Sequence, residues 1–188
     1  HIELAQALGK TRSVERQIEY IEEELEDNLQ AQLVLAKHRF LTGDLDEGLS
    51  ILTAALEKEP GNTAVLQVLI GLLTSDDVEL TVSEQVWVAD RILDHPGTSS
   101  GMQVAALNRK IRMSPLEKEA IIKEGVERFG AEDPVLLSRW LTAIEEPERS
   151  LEFISEAEAL ESLPAFAARY QALMMSEDHA EMKSLLDQ

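Results

Sequence analysis

The residues that stop and turn the chain recur at a nearly fixed interval, and that interval constrains the fold more than any other feature. Between Leu29 and Asn62 the sequence reads as an amphipathic helix, a turn at Gly43 and Asp44, a second helix, and a stop at Glu59, Pro60, Gly61 and Asn62. Leu33, Leu35 and Ala36 recur at helical spacing in the first helix, and Leu49, Leu52, Ala55 and Leu56 in the second. Gly48 and Ala55 are small where neighbouring helices must approach, and Pro60 ends the second helix because the residue before a proline resists the helical region. A step of about 34 residues back from Gly43 lands on Gly9. Val14, Ile18, Ile21 and Leu25 follow it at helical spacing, closed by Asp27 and Asn28.

Further along the chain the alternation continues with less regular lengths. Residues 63–74 pair with 81–94 before Pro96, and 99–113 pair with 115–129, where Ser114 and Pro115 form a helix start. Residues 134–144 pair with 147–160, and 163–176 with a short last helix over 178–186. The nearest candidate for a strand, 81–88, contains Ser83, Glu84 and Gln85 and runs into a helical pattern. The expectation is one all-α domain over 1–188, with units at 1–28 (partial), 29–62, 63–98, 99–132, 133–162 and 163–188 (partial). With 188 residues, 44% of them apolar and only 4% aromatic, such a chain buries its core through Leu, Ala, Ile and Val.

Leu35, Ala36, Gly43, Asp44, Gly48, Leu52, Ala55 and Pro60 stand at the spacing of the tetratricopeptide repeat, and this segment resembles that family. Gln32 and Arg39 occupy places where the family usually carries large aromatics. The resemblance implies a right-handed superhelical solenoid of antiparallel helix pairs that binds a protein or peptide along its concave face, lined by the first helix of each pair. Some family members hold a free C-terminal carboxylate with Lys and Asn at set places. Here those places carry Leu33, Lys37, Gln67 and Gly71, so only Lys37 matches and no such clamp is expected.

Charge is divided unevenly between first and second helices. The chain holds 17 basic and 36 acidic residues, a net charge of −19, yet the five first helices (29–42, 63–75, 99–113, 134–144 and 163–176) contain no Asp or Glu. Lys37, Arg39, Arg109, Lys110, Arg112, Arg139 and Arg169 lie in them, with His38 beside the first two. Two readings compete. Burial excludes short carboxylates while long basic side chains push their heads into water or pair with acids on adjacent second helices. Alternatively, the concave face is a neutral-to-basic groove that favours an acidic peptide, with Arg supplying two-pronged hydrogen bonds. The groove candidates are Lys37, Phe40, Gln67, Asn108, Arg109, Lys110, Arg112, Arg139 and Arg169.

The negative charge disfavours nucleic acid as a ligand, and no polybasic segment suggests an anionic membrane surface. The longest apolar stretch, Val68 to Leu73, falls far short of the roughly 20 residues that span a bilayer. There is no Cys, which fits a cytosol and a periplasm equally, and no export signal follows His1; the chain reads as a portion of a longer protein.

No chemistry-bearing motif stands out. The histidines at 1, 38, 95 and 179 lack metal-ligand spacing, and His95 reads as a helix-end residue. Asp44 with Asp46, and Asp76 with Asp77, lack the other ligands of a calcium loop. There is no Gly-rich phosphate loop, nucleophile elbow or Cys nucleophile, so neither a cofactor nor catalysis is expected. Trp87 and Trp140 read as core anchors, Trp140 alternatively as facing the groove. Apolar ends at Ile2, Leu4 and Leu8 and at Met182, Leu185 and Leu186 call for cover by more of the parent chain or by another copy. The expected function is a protein-interaction scaffold. The alternatives are an accessory domain of an enzyme or sensor, and a self-assembly module.

Overall fold

The computed structural model describes residues 11–74 and 78–187, and among them every regular element is helical. Gly9, His1 and the apolar Ile2, Leu4 and Leu8, as well as Asp76 and Asp77, lie outside the described residues. The chain divides into two compact units, His1–Arg109 and Lys110–Gln188.

The first unit holds α1 (Thr11–Glu24), α2 (Leu29–Thr42), α3 (Leu45–Lys58), α4 (Thr63–Thr74), α5 (Val82–Asp94) and the larger part of α6 (Ser100–Met113). Each of the first helices begins on a side-chain acceptor. Asn28 Oδ1 takes the Ala31 N–H at 3.0 Å, and Asn62 Oδ1 takes that of Ala64 at 2.9 Å. Thr81 and Glu84 close a reciprocal capping box, which settles 81–94 as helix. α2 packs along α3 and against α4, α1 against α2, and α4 against α5. Val14, Ile18 and Ile21 of α1 bury against Leu35, with Leu25 half-buried beside them. Each such burial stabilises by about 1.5–3 kcal/mol. Gly48 is small for the reason the sequence suggested, since a Cβ there would stand 2.6 Å from the Phe40 ring.

The loops that end α3 and α5 stack on each other. Pro96 Cγ lies 3.5 Å from where a Gly61 Cβ would stand. His95 is the C-cap of α5, as expected of a helix-end residue, and it is also buried. Its Nδ1 accepts the Gly97 N–H at 3.0 Å, so Nε2 carries the proton and donates to the Asn62 carbonyl at 3.1 Å.

The second unit holds the end of α6, a 3₁₀ turn (Pro115–Glu117), α7 (Lys118–Phe129), α8 (Pro134–Ala143), α9 (Pro147–Ser150), α10 (Glu156–Glu161), α11 (Leu163–Met175) and α12 (His179–Leu186). α8 packs against α7, α9 and α11, and α11 in turn against α9, α10 and α12. Trp140 is 2% exposed, its ring over Gly125, where a Cβ would come within 2.1 Å of it; it is a core anchor and does not face a groove. Trp87 is half-buried beneath the Arg91 guanidinium, 5.5 Å from the ring centre. Ser138, Thr142 and Ser150, all fully buried, satisfy one another between α8 and α9.

The helix expected over 147–160 is instead two. α9 stops after one turn, and Ser155 with Glu158 forms a second capping box that starts α10 afresh. The break exposes backbone carbonyls inside the core. The Arg169 guanidinium takes up those of Ile154 and Leu151, the latter at 3.4 Å, and also meets Glu181.

Candidate functional site

Three of the nine groove candidates come together. Lys37 and Phe40 on α2 and Gln67 on α4 line an open hollow of about 410 Å³, with Leu41, Val68, Gly71, Leu72, Thr74 and Val78. The helical period explains the convergence. Lys37 and Leu41 stand one turn apart on α2, as do Gln67 and Gly71 on α4, and all four are exposed. Phe40 forms the floor, since its ring is buried on Gly48. Space is open at Gly71, where no described residue lies within 4 Å of the position a Cβ would take.

Among the described residues no carboxylate lines this hollow. A second one in the same unit, of about 260 Å³, has Glu26, Asp27 and Glu59 on its wall beside Lys58. Among the described residues the two hollows of this unit thus differ in local charge.

The remaining six candidates are placed otherwise. Lys110, 14% exposed, meets Glu124 of α7 at 2.7 Å, and that carboxylate also takes Arg128. Arg169 is 7% exposed and bound to two carbonyls and Glu181. For these two the structure favours pairing with acids on second helices. Arg112 and Arg139 are exposed, and Asn108 and Arg109 half-buried. Leu41, Val68, Leu72, Thr74 and Val78 were not among the candidates. The helical step from Lys37 to Leu41 carries a sequence signal, whereas Val78 sits in the loop after α4 and carries none.

Gln32 and Arg39, at the two places where aromatics were expected, make polar ties to the segments on either side of α2. Gln32 Nε2 donates to the Leu25 carbonyl at 3.3 Å, and Arg39 pairs with Glu22 of α1 and, at 3.0 Å, with Glu47 of α3. Burial raises the Glu47 pKa, helped by a hydrogen bond with Asp44 and opposed by Arg39. Burial likewise lowers the pKa of His38, with the Arg39 charge adding to the effect and Glu22 opposing it.

Among the described residues no group of three His, Asp or Glu side chains is placed to hold a metal ion, and no helix is long and apolar enough to cross a membrane. No family model, curated protein or solved structure matches the chain. Its class is therefore defined by architecture alone, an all-helical protein whose helices pack against their neighbours in a repeat-like arrangement.

Proposed function

We propose that the chain is a protein-interaction module of the tetratricopeptide kind, its helix pairs stacked in a right-handed superhelix, and that it binds rather than catalyses. Its ligand is a partner's peptide segment carrying an apolar side chain beside a carboxylate. The hollow between α2 and α4 carries this reading. Among the described residues it offers Phe40, Leu41, Val68 and Leu72 as an apolar wall and Lys37 as its charged group, in a chain of net charge −19. The apolar wall rewards burial, and the Lys37 ammonium attracts a carboxylate on a protein that is otherwise strongly acidic.

Labelled peptides in three series (acidic–apolar, basic–apolar and acidic without apolar residues) titrated by fluorescence anisotropy test the proposal. The acidic–apolar series binds best. Gly71→Leu fills the hollow on an exposed helix position and abolishes that binding, and Lys37→Glu transfers the preference to the basic series. Equal affinity across the series, or full binding by Gly71→Leu protein, would falsify the reading.

A further inference from the structure

We infer that Arg109 on α6 is a receptor for a carboxylate brought by a partner protein. Seven Lys and Arg side chains among the described residues are at least partly buried. Arg39, Lys110, Lys118, Arg128, Arg149 and Arg169 each meet a carboxylate. Arg109 is the seventh, and no described residue forms a hydrogen bond or an ion pair with its guanidinium. A charge drawn partly out of water costs free energy unless a counter-charge offsets it. With 36 acidic residues against 17 basic ones, the chain has carboxylates to spare. The negative end of the helix dipole accounts for a cation near the close of α6, as it does for Lys110 and Arg112, but not for burial without a partner. A half-buried guanidinium left in that state is adapted to a carboxylate from outside the chain.

The geometry of the side chain suits that task. Its Nε is buried and meets no acceptor, whereas the two Nη groups stay open to water. The stem is thus held in place while the outer edge of the fork is presented, and little side-chain freedom remains to be lost when a carboxylate takes two parallel hydrogen bonds. α6 carries no Asp or Glu to compete for it. Ala105 and Met102, one and two turns before Arg109 on the same face, are both exposed, Met102 by 39%. Met102 stands about 10 Å from Arg109 along the helix axis. The partner segment that fits carries an acidic side chain that far from an apolar one, as Glu and Leu two turns apart on a helix do. A carboxylate neutralises a single guanidinium. A phosphate dianion would leave surplus negative charge on a chain that already bears −19.

This site shares no residue with the hollow between α2 and α4 and does not rest on it. Fluorescence anisotropy on the 188-residue protein tests it with end-blocked helical peptides, circular dichroism confirming the fold of each variant. The salt is kept at about 0.15 M, where charges beyond about 8 Å are screened. One peptide carries Glu two turns from Leu, a second has Gln in place of that Glu, and a third has phosphoserine there. Wild type binds the Glu peptide roughly five- to tenfold more tightly than the Gln peptide. Arg109→Gln abolishes that preference, Arg109→Lys restores part of it, and Lys37→Ala leaves it intact. Met102→Ser weakens the Glu and Gln peptides alike. Equal binding of the Glu and Gln peptides overturns the inference, as does a preference that survives Arg109→Gln. A preference lost in Lys37→Ala but kept in Arg109→Gln places the peptide in the hollow, and tighter binding of the phosphoserine peptide reassigns the site to a phosphate. Either result overturns it as well.

Discussion

Arg169 shows how a residue can be visible in a sequence while its role is not. On an acid-free helix it reads as a groove cation, yet its guanidinium is buried on the carbonyls of Ile154 and Leu151 and on Glu181. Its role was hidden because its carbonyl partners exist only where the preceding helix breaks. A five-donor planar group suits two carbonyls and a carboxylate at once, which a lysine ammonium does not reproduce. Arg169→Met leaves those carbonyls unpaired in a core that excludes water, and the expected loss is about 3 kcal/mol. A urea denaturation midpoint measures it, and Arg169→Lys recovers less than half of the loss. Full stability of the Met variant would remove this structural role. Arg39 follows the same logic at lower stakes, since its partners Glu22 and Glu47 are each more than a third exposed.

At the scale of elements, the turn between first and second helix is the feature that was half legible. Gly43 is the residue the sequence exposes, with φ of 83° and the Asp44 N–H reaching back to the Arg39 carbonyl at 2.9 Å. The same turn recurs at Glu145 (φ 66°) and Glu177 (φ 58°), where the next N–H reaches back five residues, from Glu146 to Leu141 and from Asp178 to Leu173. Neither position carries the glycine that a turn search looks for, so the later pairs were recognised from helix alternation without their turns. A side chain in the left-handed region costs about 1–2 kcal/mol, against roughly 0.5–1 kcal/mol of extra chain entropy that a glycine loses. Glu177→Gly is therefore expected to raise stability by several tenths of a kcal/mol to about 1. A fall in Tm would mean that Glu177 makes a compensating interaction. The split of 147–160 had its own cue in Ser155 and Glu158, a start signal inside an assumed helix. Hydrogen bonds from the Ser155 hydroxyl and then its backbone N–H hold the Glu158 carboxyl below its ordinary value of 4.5. A carboxyl lowered in the folded state stabilises fully above that value and ceases to as the pH falls through the lowered one. Ser155→Ala should accordingly flatten the loss of stability below pH 4.5 and leave the slope above it unchanged.

For the whole molecule, salt separates two electrostatic effects that act in opposite directions. A net charge of −19 repels itself, and raising ionic strength from low to physiological shortens the screening length from about 30 Å at 0.01 M to about 8 Å. Tm should therefore climb with salt. An acidic peptide approaching the hollow meets both the same long-range repulsion, which salt relieves, and a short-range attraction to Lys37, which salt weakens less because the pair is in contact. The raw affinity mixes the two, so its slope alone does not decide whether Lys37 takes part. The ratio of affinities between wild type and Lys37→Ala does decide it, because the distant charge cancels between two proteins that differ by one side chain. That ratio should exceed unity at low salt, on the order of 2- to 5-fold for an exposed pair worth up to about 1 kcal/mol. It should shrink toward one as salt rises, while the Tm of both proteins increases. A ratio of one at low salt would leave the hollow with only its apolar wall, and binding would then be indifferent to the acidity of the peptide. The acid-free helices would in that case reflect burial alone, as Lys110 and Arg169 already do in the second unit.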